Sequence, residues 1–509
     1  MQAMQSRPTP MRRAGRAFVT ACFTALCLLP AASLLAAPTA ADDRRLPEAA
    51  RDGDREAIAR LLAEAVNVDA AAVDGTTALH WAVYRDDAAL AEALLDAGAD
   101  PDVVNRNGAT PLGLACGGAG AALVTVLLDA GADPGLAPRG EAPLLTCART
   151  GAVAAVRALL SRGADLDAAD TWRGQTPLMW AAAENHVPVM NVLLEGGAAV
   201  DAASTGGFTA LMFAVRQDAR DAARLLLAAG ADLDARAPNG QSLLRMAITN
   251  RHYPLATLLL ARGADPTARD SQGNTALHDL VAARGLQRRP QVPAAVSEGA
   301  ALHATESLDL MRLLLEAGAD PNARTEPRPR LTDARAQAGG RPAIDNQVNM
   351  GGATPYAAAA RGADHEAMRL LAEHGADPRL ATYANNTALT LAAGVVFTEG
   401  LRLQRPEPDI LAAVELALAH GVDIDGANAH GQTALHGAVY RAADSVIRHL
   451  IAAGARTDLA DELDRTPLDL AEQGFNQAAS VIRRDRSAAL LRELGAVSSR
   501  PAASADASP

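Results

Sequence analysis

Apolar positions recur along this chain with the spacing of a short helix. Leu90, Ala93, Leu94 and Ala97 lie three or four residues apart, as on one face of a helix. Gly98 follows at once, and glycine readily adopts the left-handed conformation that ends helices. The same glycine position returns at Gly131, Gly163, Gly230, Gly263, Gly318 and Gly375, with variants at Gly197, Gly421 and Gly454. The pattern therefore predicts a series of short helices with similar ends.

A second pattern precedes each of these helices. Thr or Ser, then Pro or Ala, then Leu begin a short Ala-rich segment. A Thr hydroxyl caps a helix N-terminus, and Pro suits the first helical position, which needs no amide donor. The third residue of this motif recurs at Leu79, Leu112, Leu144, Leu178, Leu211, Leu244, Leu277, Tyr356, Leu389, Leu435 and Leu468. The intervals are 32–34 residues except for two, of 79 and 46 residues, which we attribute to insertions.

Taken together, these units resemble the ankyrin repeat, with its Thr-Pro-Leu-His motif and period of 33 residues. The resemblance covers residues 46–497. It implies an all-α solenoid of antiparallel helix pairs with projecting β-turns, of about twelve units including caps. Such units fold only beside neighbours, because none can bury its apolar face alone.

The resemblance also divides the chain into segments. We expect a signal peptide over 1–41, a cap and repeats over 42–324 with an insertion near 284–305, an Arg/Pro/Gly-rich loop over 325–350, repeats and a C-terminal cap over 351–497 with an insertion near 397–408, and a disordered tail over 498–509. The last repeat is predicted to end in one long polar helix carrying Arg483, Arg484, Arg486 and Arg492. Long loops in compact repeats are either functional or merely tolerated.

The N-terminus has the pattern of a secretory signal. Arg12, Arg13 and Arg16 precede a largely apolar stretch, Ala17 to Leu29, and small residues follow from Ala36 to Ala41. That stretch is too short to span a bilayer as an ordinary helix. We therefore expect a periplasmic or secreted protein, with a lipidated or a cytosolic N-terminus as alternatives.

The net charge limits the kinds of partner that the protein can bind. The net charge is −12, which gives no overall basic character for nucleic acid and favours a basic or weakly charged protein partner. We expect a monomer without a membrane span.

Cys116 and Cys147 fall at nearly equivalent positions of adjacent first helices. Helices pack about 8–10 Å apart, whereas disulfides need Cα atoms within about 7 Å. We therefore expect two buried thiols, with a disulfide in an oxidising compartment as the alternative.

The residue types that could act in catalysis or metal binding are each expected to have a structural role. His80, His278 and His436 follow the turn Leu, where the resemblance implies hydrogen bonds to neighbouring turns. The Asp of each Gly-Ala-Asp triplet stands alone in its repeat, whereas Ca²⁺ needs six or more converging oxygens, so we expect loop caps. Trp81 and Trp180 are expected to wedge between helices. No catalytic motif, metal site or cofactor site is predicted, and we expect no enzyme.

The resemblance places partner contacts in a concave groove lined by turn tips and by the exposed side of the first helices. Several groove residues are Tyr, Trp or Arg, the types that dominate interface hot spots. The predicted contact residues are Tyr84, Arg85, Arg149, Trp172, Arg173, Glu184, Phe208, Arg216, Gln217, Asn250, Tyr440 and Arg441. The resulting hypothesis is a non-catalytic binding module or scaffold of the cell envelope. A secreted effector that binds a host protein, or an enzyme with its site in the insertions, are the alternatives.

Overall fold

The computed structural model describes residues 44–118, 120–287, 294–327, 350–395, 406–477 and 480–498, without the side chains of 286–287, 294–303 and 475–482. The predicted leader, and most of the 325–350 loop, the 397–408 insertion and the tail, lie outside these residues. The described chain is an all-α solenoid of twelve helix pairs. We call the first pair the N-terminal cap and number the others repeats 1 to 11 in chain order.

Each pair consists of a first and a second helix. The first helices are Arg45–Asp52, Ala78–Tyr84, Pro111–Gly117, Pro143–Thr150, Pro177–Ala183, Ala210–Arg216, Leu243–Thr249, Ala276–Gln287, Pro355–Arg361, Ala388–Ala393, Ala434–Arg441 and Pro467–Gln473. The second helices are Arg55–Ala63, Ala88–Asp96, Ala121–Asp129, Val153–Ser161, Val187–Glu195, Arg220–Ala228, Tyr253–Ala261, Ala294–Glu316, His365–Glu373, Glu407–Ala419, Asp444–Ala452 and Asp485–Glu493.

The predicted signals set the helix ends. Thr110 accepts a hydrogen bond from the amide of Gly113, and Pro111 occupies the first helical position. A Thr cap contributes about 1 kcal/mol, because it satisfies an amide that would otherwise lack a partner. At the far end of repeat 1, Gly98 has a φ of 89°, which a side chain would strain.

Small residues bring the first helices close together. Ala82, Ala115 and Ala181 occupy equivalent positions in repeats 1, 2 and 4, where repeat 3 has Cys147 followed by Ala148, and all five are almost fully buried. The second helices contribute larger side chains, such as the fully buried Leu94. Burying one Leu stabilises the fold by about 1.5–3 kcal/mol. The core therefore runs unbroken along the stack, and every repeat depends on its neighbours.

A disulfide joins repeats 2 and 3, so the prediction of two buried thiols was wrong. Cys116 and Cys147 are bonded, with their Cα atoms 4.6 Å apart. The prediction compared the distance between helix axes with a limit that applies to the distance between Cα atoms. Each Cα lies about 2.3 Å from its own axis, so facing Cα atoms approach more closely than the axes by about 4–5 Å.

The first insertion lengthens both helices of repeat 7, and Arg284 fixes them to repeat 8. Its Nε and Nη2 donate to Asp364 at 2.7 and 3.0 Å, and Nη2 also donates to Glu366 at 3.1 Å. Nη1 donates to Ser307 and to the carbonyl of Ala304 at 2.6 and 2.8 Å. The guanidinium is 2% exposed. All five of its N–H groups are thus satisfied inside the protein.

The second insertion leaves the stack at a turn tip. The amide of Glu326 donates to the carbonyl of Gln272 at 2.7 Å, while the amide of Gly352 donates to the carbonyl of Thr325 at 2.9 Å. Both sides of the insertion are therefore held in an ordinary repeat turn.

The last repeat differs from the prediction of one long helix. Helix Pro467–Gln473 is followed by strands Phe475–Gln477 and Ser480–Ile482, which pair antiparallel, and then by helix Asp485–Glu493. Gly474, with a φ of 79° and a ψ of 177°, ends the first of these helices. Arg483 and Arg484 consequently precede the final helix.

No helix in the described part of the chain combines the length and apolar character needed to cross a bilayer.

We expect Arg284→Met to destabilise the protein by about 3–5 kcal/mol, because it leaves the Asp364 carboxylate buried without its counter-charge. Urea denaturation followed by circular dichroism measures the loss. As a control, Arg448→Met removes a pair with Glu493 in which both side chains are more than half exposed, and it should cost less than about 1 kcal/mol. Equal losses in the two variants would contradict the role assigned to Arg284.

We expect the Cys116–Cys147 bond to stabilise the stack by about 2–4 kcal/mol, because it restricts the unfolded chain. The melting temperature of the Cys116→Ala/Cys147→Ala variant should fall accordingly. Reductant should destabilise the wild type and leave the variant unchanged. The bond itself is refuted if denatured protein, purified from an oxidising compartment without reductant, shows two reactive thiols per mature chain.

Candidate functional site

The turn histidines join neighbouring repeats, as predicted. The Nδ1 atom of His80 accepts from the amide of Thr77 at 3.2 Å, and its Nε2 lies 3.1 Å from the carbonyl oxygen of Ala109 in the next repeat. His278 makes the corresponding Nε2 contact, 3.0 Å from the carbonyl oxygen of Ala353. Because the carbonyl can only accept, Nε2 carries the proton and the ring is neutral. The partner Ala353 lies 75 residues ahead of His278, so the stacking continues past both insertions.

Burial keeps these rings neutral. Desolvation lowers the pKa of His278 to about 4, against the opposing effect of its hydrogen bond to Ala353. Burial likewise lowers the pKa of His80 and of His436. These histidines therefore act as fixed hydrogen-bonding groups at neutral pH.

Repeat 6 replaces the histidine with Arg245. This buried guanidinium donates to Asp270 at 2.9 Å and to Asp279 of the next repeat. Burial raises the pKa of Asp279. Burial acts the same way on Asp270, but hydrogen bonds from Asn274 and Arg245 outweigh it and lower the pKa of Asp270 to about 2. Arg245 thus takes over the inter-repeat link with charged partners.

The aspartates of the Gly-Ala-Asp triplets cap loops, as predicted. Asp100 Oδ1 accepts from the amide of Asp102 at 2.9 Å, and Asp232 accepts from the amide of Asp234 at the same distance. Aspartates also link repeats, since Asp69 accepts from the amide of Asp100 at 3.0 Å. Across the residues with defined positions, no three His, Cys, Asp or Glu side chains converge as metal ligands.

Turn tips form a hydrogen-bonded row along one edge of the stack. The amide of Arg106 donates to the carbonyl of Asp74 at 2.9 Å, and the amide of Thr205 donates to that of Arg173 at 2.8 Å. Pro138 and Pro238 interrupt the row, because proline has no amide hydrogen. The tips are therefore held in register by backbone contacts. We call the turn tips and the ends of the first helices together the groove face.

The structure places most of the predicted contact residues at accessible positions on the groove face. The exposed ones are Tyr84, Arg85, Trp172, Arg173, Glu184, Arg216, Gln217 and Asn250, and the half-buried ones are Arg149, Phe208 and Arg441. Their role in binding stays a prediction.

The prediction that Tyr440 contacts a partner was wrong, because its side chain is fully buried. Its hydroxyl accepts from Gln432 Nε2 at 2.9 Å. The chain leaving the first helix of repeat 9 packs against the helix Ala434–Arg441, so that a Cβ at Gly437 would come within 2.8 Å of the amide nitrogen of Val395. Arg441, the next residue, reaches across to donate to the carbonyl of Arg361 at 3.2 Å. Tyr440 thus belongs to the interior, and Arg441 is engaged in holding repeats together.

The groove-face aromatics interact with one another and with arginines. Trp81 is half-buried against the core, with its ring 5.8 Å edge-on from Tyr84. Trp180 is half-buried as well, and Arg149 lies 5.6 Å from its ring centre. The two tryptophans are therefore partly buried rather than fully enclosed between helices.

Sequence reasoning missed several exposed apolar tips. The described chain has eight large hydrophobic side chains classed as exposed, and five of them belong to the groove face. These five are Tyr84 and Trp172, which were predicted, and Val73, Tyr383 and Leu463, which were not. Their common signal is their place in the turn or at the end of a first helix.

Comparison with known proteins agrees with this geometry. Sequence models described as ankyrin repeats in three copies match residues 46–138, 84–170, 115–205, 144–237 and 211–288, and one described as a single ankyrin repeat matches 272–326. Together these matches span more than half of the chain. The chain belongs to the ankyrin-repeat family. Ankyrin repeats are generic protein–protein interaction modules.

Solved ankyrin structures are similar over part of the chain. The human ASB11 ankyrin repeat domain is 33% identical, with a TM-score of 0.39, over 44% of this chain and 99% of that one. The ankyrin repeat domain of Bcl-3, described as a unique member of the IkappaB protein family, is 30% identical, with a TM-score of 0.38, over 43% of this chain and 98% of that one. No curated protein matches this ankyrin-repeat chain.

We expect acid to weaken the stack through His278. Its folded pKa, about 4, lies below the unfolded value of about 6.5, so the unfolded chain takes up the proton first. Stability present above about pH 6.5 is therefore lost as the pH falls towards 4, by roughly 1–2 kcal/mol at about pH 5. Urea midpoints at these pH values measure the effect. His278→Gln should reduce the pH dependence, and an unchanged dependence would contradict the prediction.

Proposed function

We propose that this ankyrin-repeat chain is a non-catalytic scaffold of the periplasm or the extracellular medium that binds a protein partner through its groove face. The observation that carries the proposal is the position of its exposed apolar side chains. Trp172 is 65% exposed, Tyr383 56% and Tyr84 43%, and all three lie on that face. Trp and Tyr are enriched among the residues that dominate binding energy at protein interfaces, so three exposed aromatic rings on one face favour binding there.

Rigidity supports the same proposal. The turn tips are joined by backbone hydrogen bonds, such as that from Thr205 to Arg173 at 2.8 Å. A surface already held in its bound shape loses little conformational entropy on association. The groove face can therefore convert modest contacts into affinity.

The disulfide supports export. Cys116 and Cys147 are fully buried and bonded within the stack. Disulfides form and persist mainly in oxidising compartments. This agrees with the secretory pattern predicted for the N-terminal 1–41 segment, and cell fractionation tests the location directly.

An exported effector that binds a host protein is the second candidate. The insertion between Glu326 and Met350 favours it, since both of its ends lie at a turn tip of the groove face and added loops often carry specialised functions. Recovery of the protein from the medium rather than the periplasm would favour the effector.

Binding through the groove face is tested by affinity capture with the mature chain. We expect Tyr84→Ala/Trp172→Ala/Arg216→Ala to weaken capture of the partner by about tenfold or more, because aromatic and Arg hot spots cost about 2 kcal/mol each. The matched control is Leu313→Ala/Arg157→Ala/Arg262→Ala, which removes an exposed apolar side chain and two exposed arginines from second helices and their ends. If both variants retain the partner equally, the groove face is not the binding surface.

A further inference from the structure

The groove face of repeats 1 to 6 carries a charge opposite to that of the whole protein. Here it comprises turn residues 73–74, 106–107, 138–139, 172–173, 205–206 and 238–239, the residues before the helix caps (76, 109, 141, 175, 208 and 241), and the helix ends 84–85, 117–118, 149–150, 183–184, 216–217 and 249–250. Its charged residues are Arg85, Arg106, Arg139, Arg149, Arg173, Arg216, Asp74, Glu141 and Glu184. This part of the groove face therefore has six arginines and three carboxylates, whereas the whole chain has a net charge of −12.

Five of these six arginines form no salt bridge within the described chain, and all five are exposed. They are Arg85, Arg106, Arg139, Arg173 and Arg216. Many arginines elsewhere are paired, as Arg220 is with Asp218 at 2.8 Å and Arg456 with Asp458 at 2.9 Å. Arg85 donates to the backbone carbonyl of Arg51 at 3.0 Å, and its charge also acts on Asp52. Most of the positive charge on this face is therefore available to a ligand.

Aromatic rings hold two of the arginines in place. The guanidinium of Arg149 lies 5.6 Å from the ring centre of Trp180, and that of Arg216 lies 6.0 Å from the ring of Phe208. Stacking on a ring restricts a long flexible side chain before any ligand arrives. Less entropy is then lost when a carboxylate binds.

We propose that the groove face of repeats 1 to 6 binds an acidic, extended polypeptide segment of its partner. This inference rests on the proposed function and adds the chemistry of the partner to it. Neighbouring helices lie about 8–10 Å apart, and an extended chain advances about 3.3 Å per residue. A carboxylate at every third residue thus meets successive arginines. Trp172, on the same turn tip as Arg173, supplies an apolar contact.

A polypeptide fits this face better than nucleic acid does. Duplex DNA carries a charge about every 1.7 Å along its axis, whereas the arginines are spaced by whole repeats and interrupted by Glu141 and Glu184. Most phosphates would stay without a counter-charge, beside a strongly acidic protein. The ring faces of Trp180 and Phe208, which could stack bases, are already taken by arginines.

The test uses the mature chain and labelled peptides, with binding followed by fluorescence anisotropy. One peptide has Glu at every third position of about 20 residues with Ser and Leu between, a second has Gln in place of Glu, and a single-stranded DNA of similar length is the third probe. We expect the Glu peptide to bind, the Gln peptide to bind about tenfold more weakly or worse, and rising salt to weaken the Glu complex.

Charge reversal locates the binding. Arg106→Glu/Arg139→Glu/Arg173→Glu should weaken the Glu peptide by at least about tenfold. The matched control, Arg60→Glu/Arg157→Glu/Arg262→Glu, makes the same change at exposed positions on second helices or their ends, and it should bind as the wild type does. Circular dichroism and melting temperatures confirm that both variants are folded.

Equal binding of the Glu and Gln peptides, tighter binding of the DNA, or equal losses in both variants would each overturn the inference. Failure of the inference is distinct from failure of the proposed function. If the Glu peptide does not bind while partner capture still depends on Tyr84, Trp172 and Arg216, the groove face binds a partner that is not acidic.

Discussion

Every feature of this protein depends on contact between neighbouring repeats. A pair of short helices cannot bury its apolar side alone, so each unit is stable only when the next one covers it. Ala82, Ala115 and Ala148 keep the first helices close, and that closeness lets other groups reach across. His80 can then bond to a turn carbonyl of the next repeat, and Cys116 can meet Cys147.

Contact between neighbouring repeats also fixes the loops that connect the helices, so that together they form a defined surface. Turn tips are hydrogen-bonded to their neighbours, so the side chains at the tips are presented at regular intervals. The first two insertions interrupt the regular spacing of the repeats, and buried polar groups keep the repeats stacked on both sides of them. Arg284 fixes the lengthened helices of repeat 7 to repeat 8, and His278 bonds to Ala353 beyond both insertions. The surface therefore continues along the stack despite added sequence.

Charge shows why position matters more than composition. A net charge of −12 points to a basic partner, but salt screens charges beyond about 8–10 Å under physiological conditions. A ligand in the groove face senses mainly the nearest side chains, among them Arg106, Arg139 and Arg173. Paired arginines elsewhere, such as Arg220 with Asp218, contribute little to that local field.

The sequence by itself determined what depends on local chemistry. The caps at Thr110 and its equivalents, the left-handed glycines such as Gly98, and the aspartate loop caps all act within a few residues, so the period revealed the family, the helix pairs and most of the exposed groove positions. The tertiary structure alone decided what depends on distances between units. It buried Tyr440, bonded Cys116 to Cys147, and gathered Asp364 and Ser307 around Arg284. No local pattern marks the last two contacts, because Cys147 lies 31 residues from Cys116, and Ser307 and Asp364 lie 23 and 80 residues from Arg284.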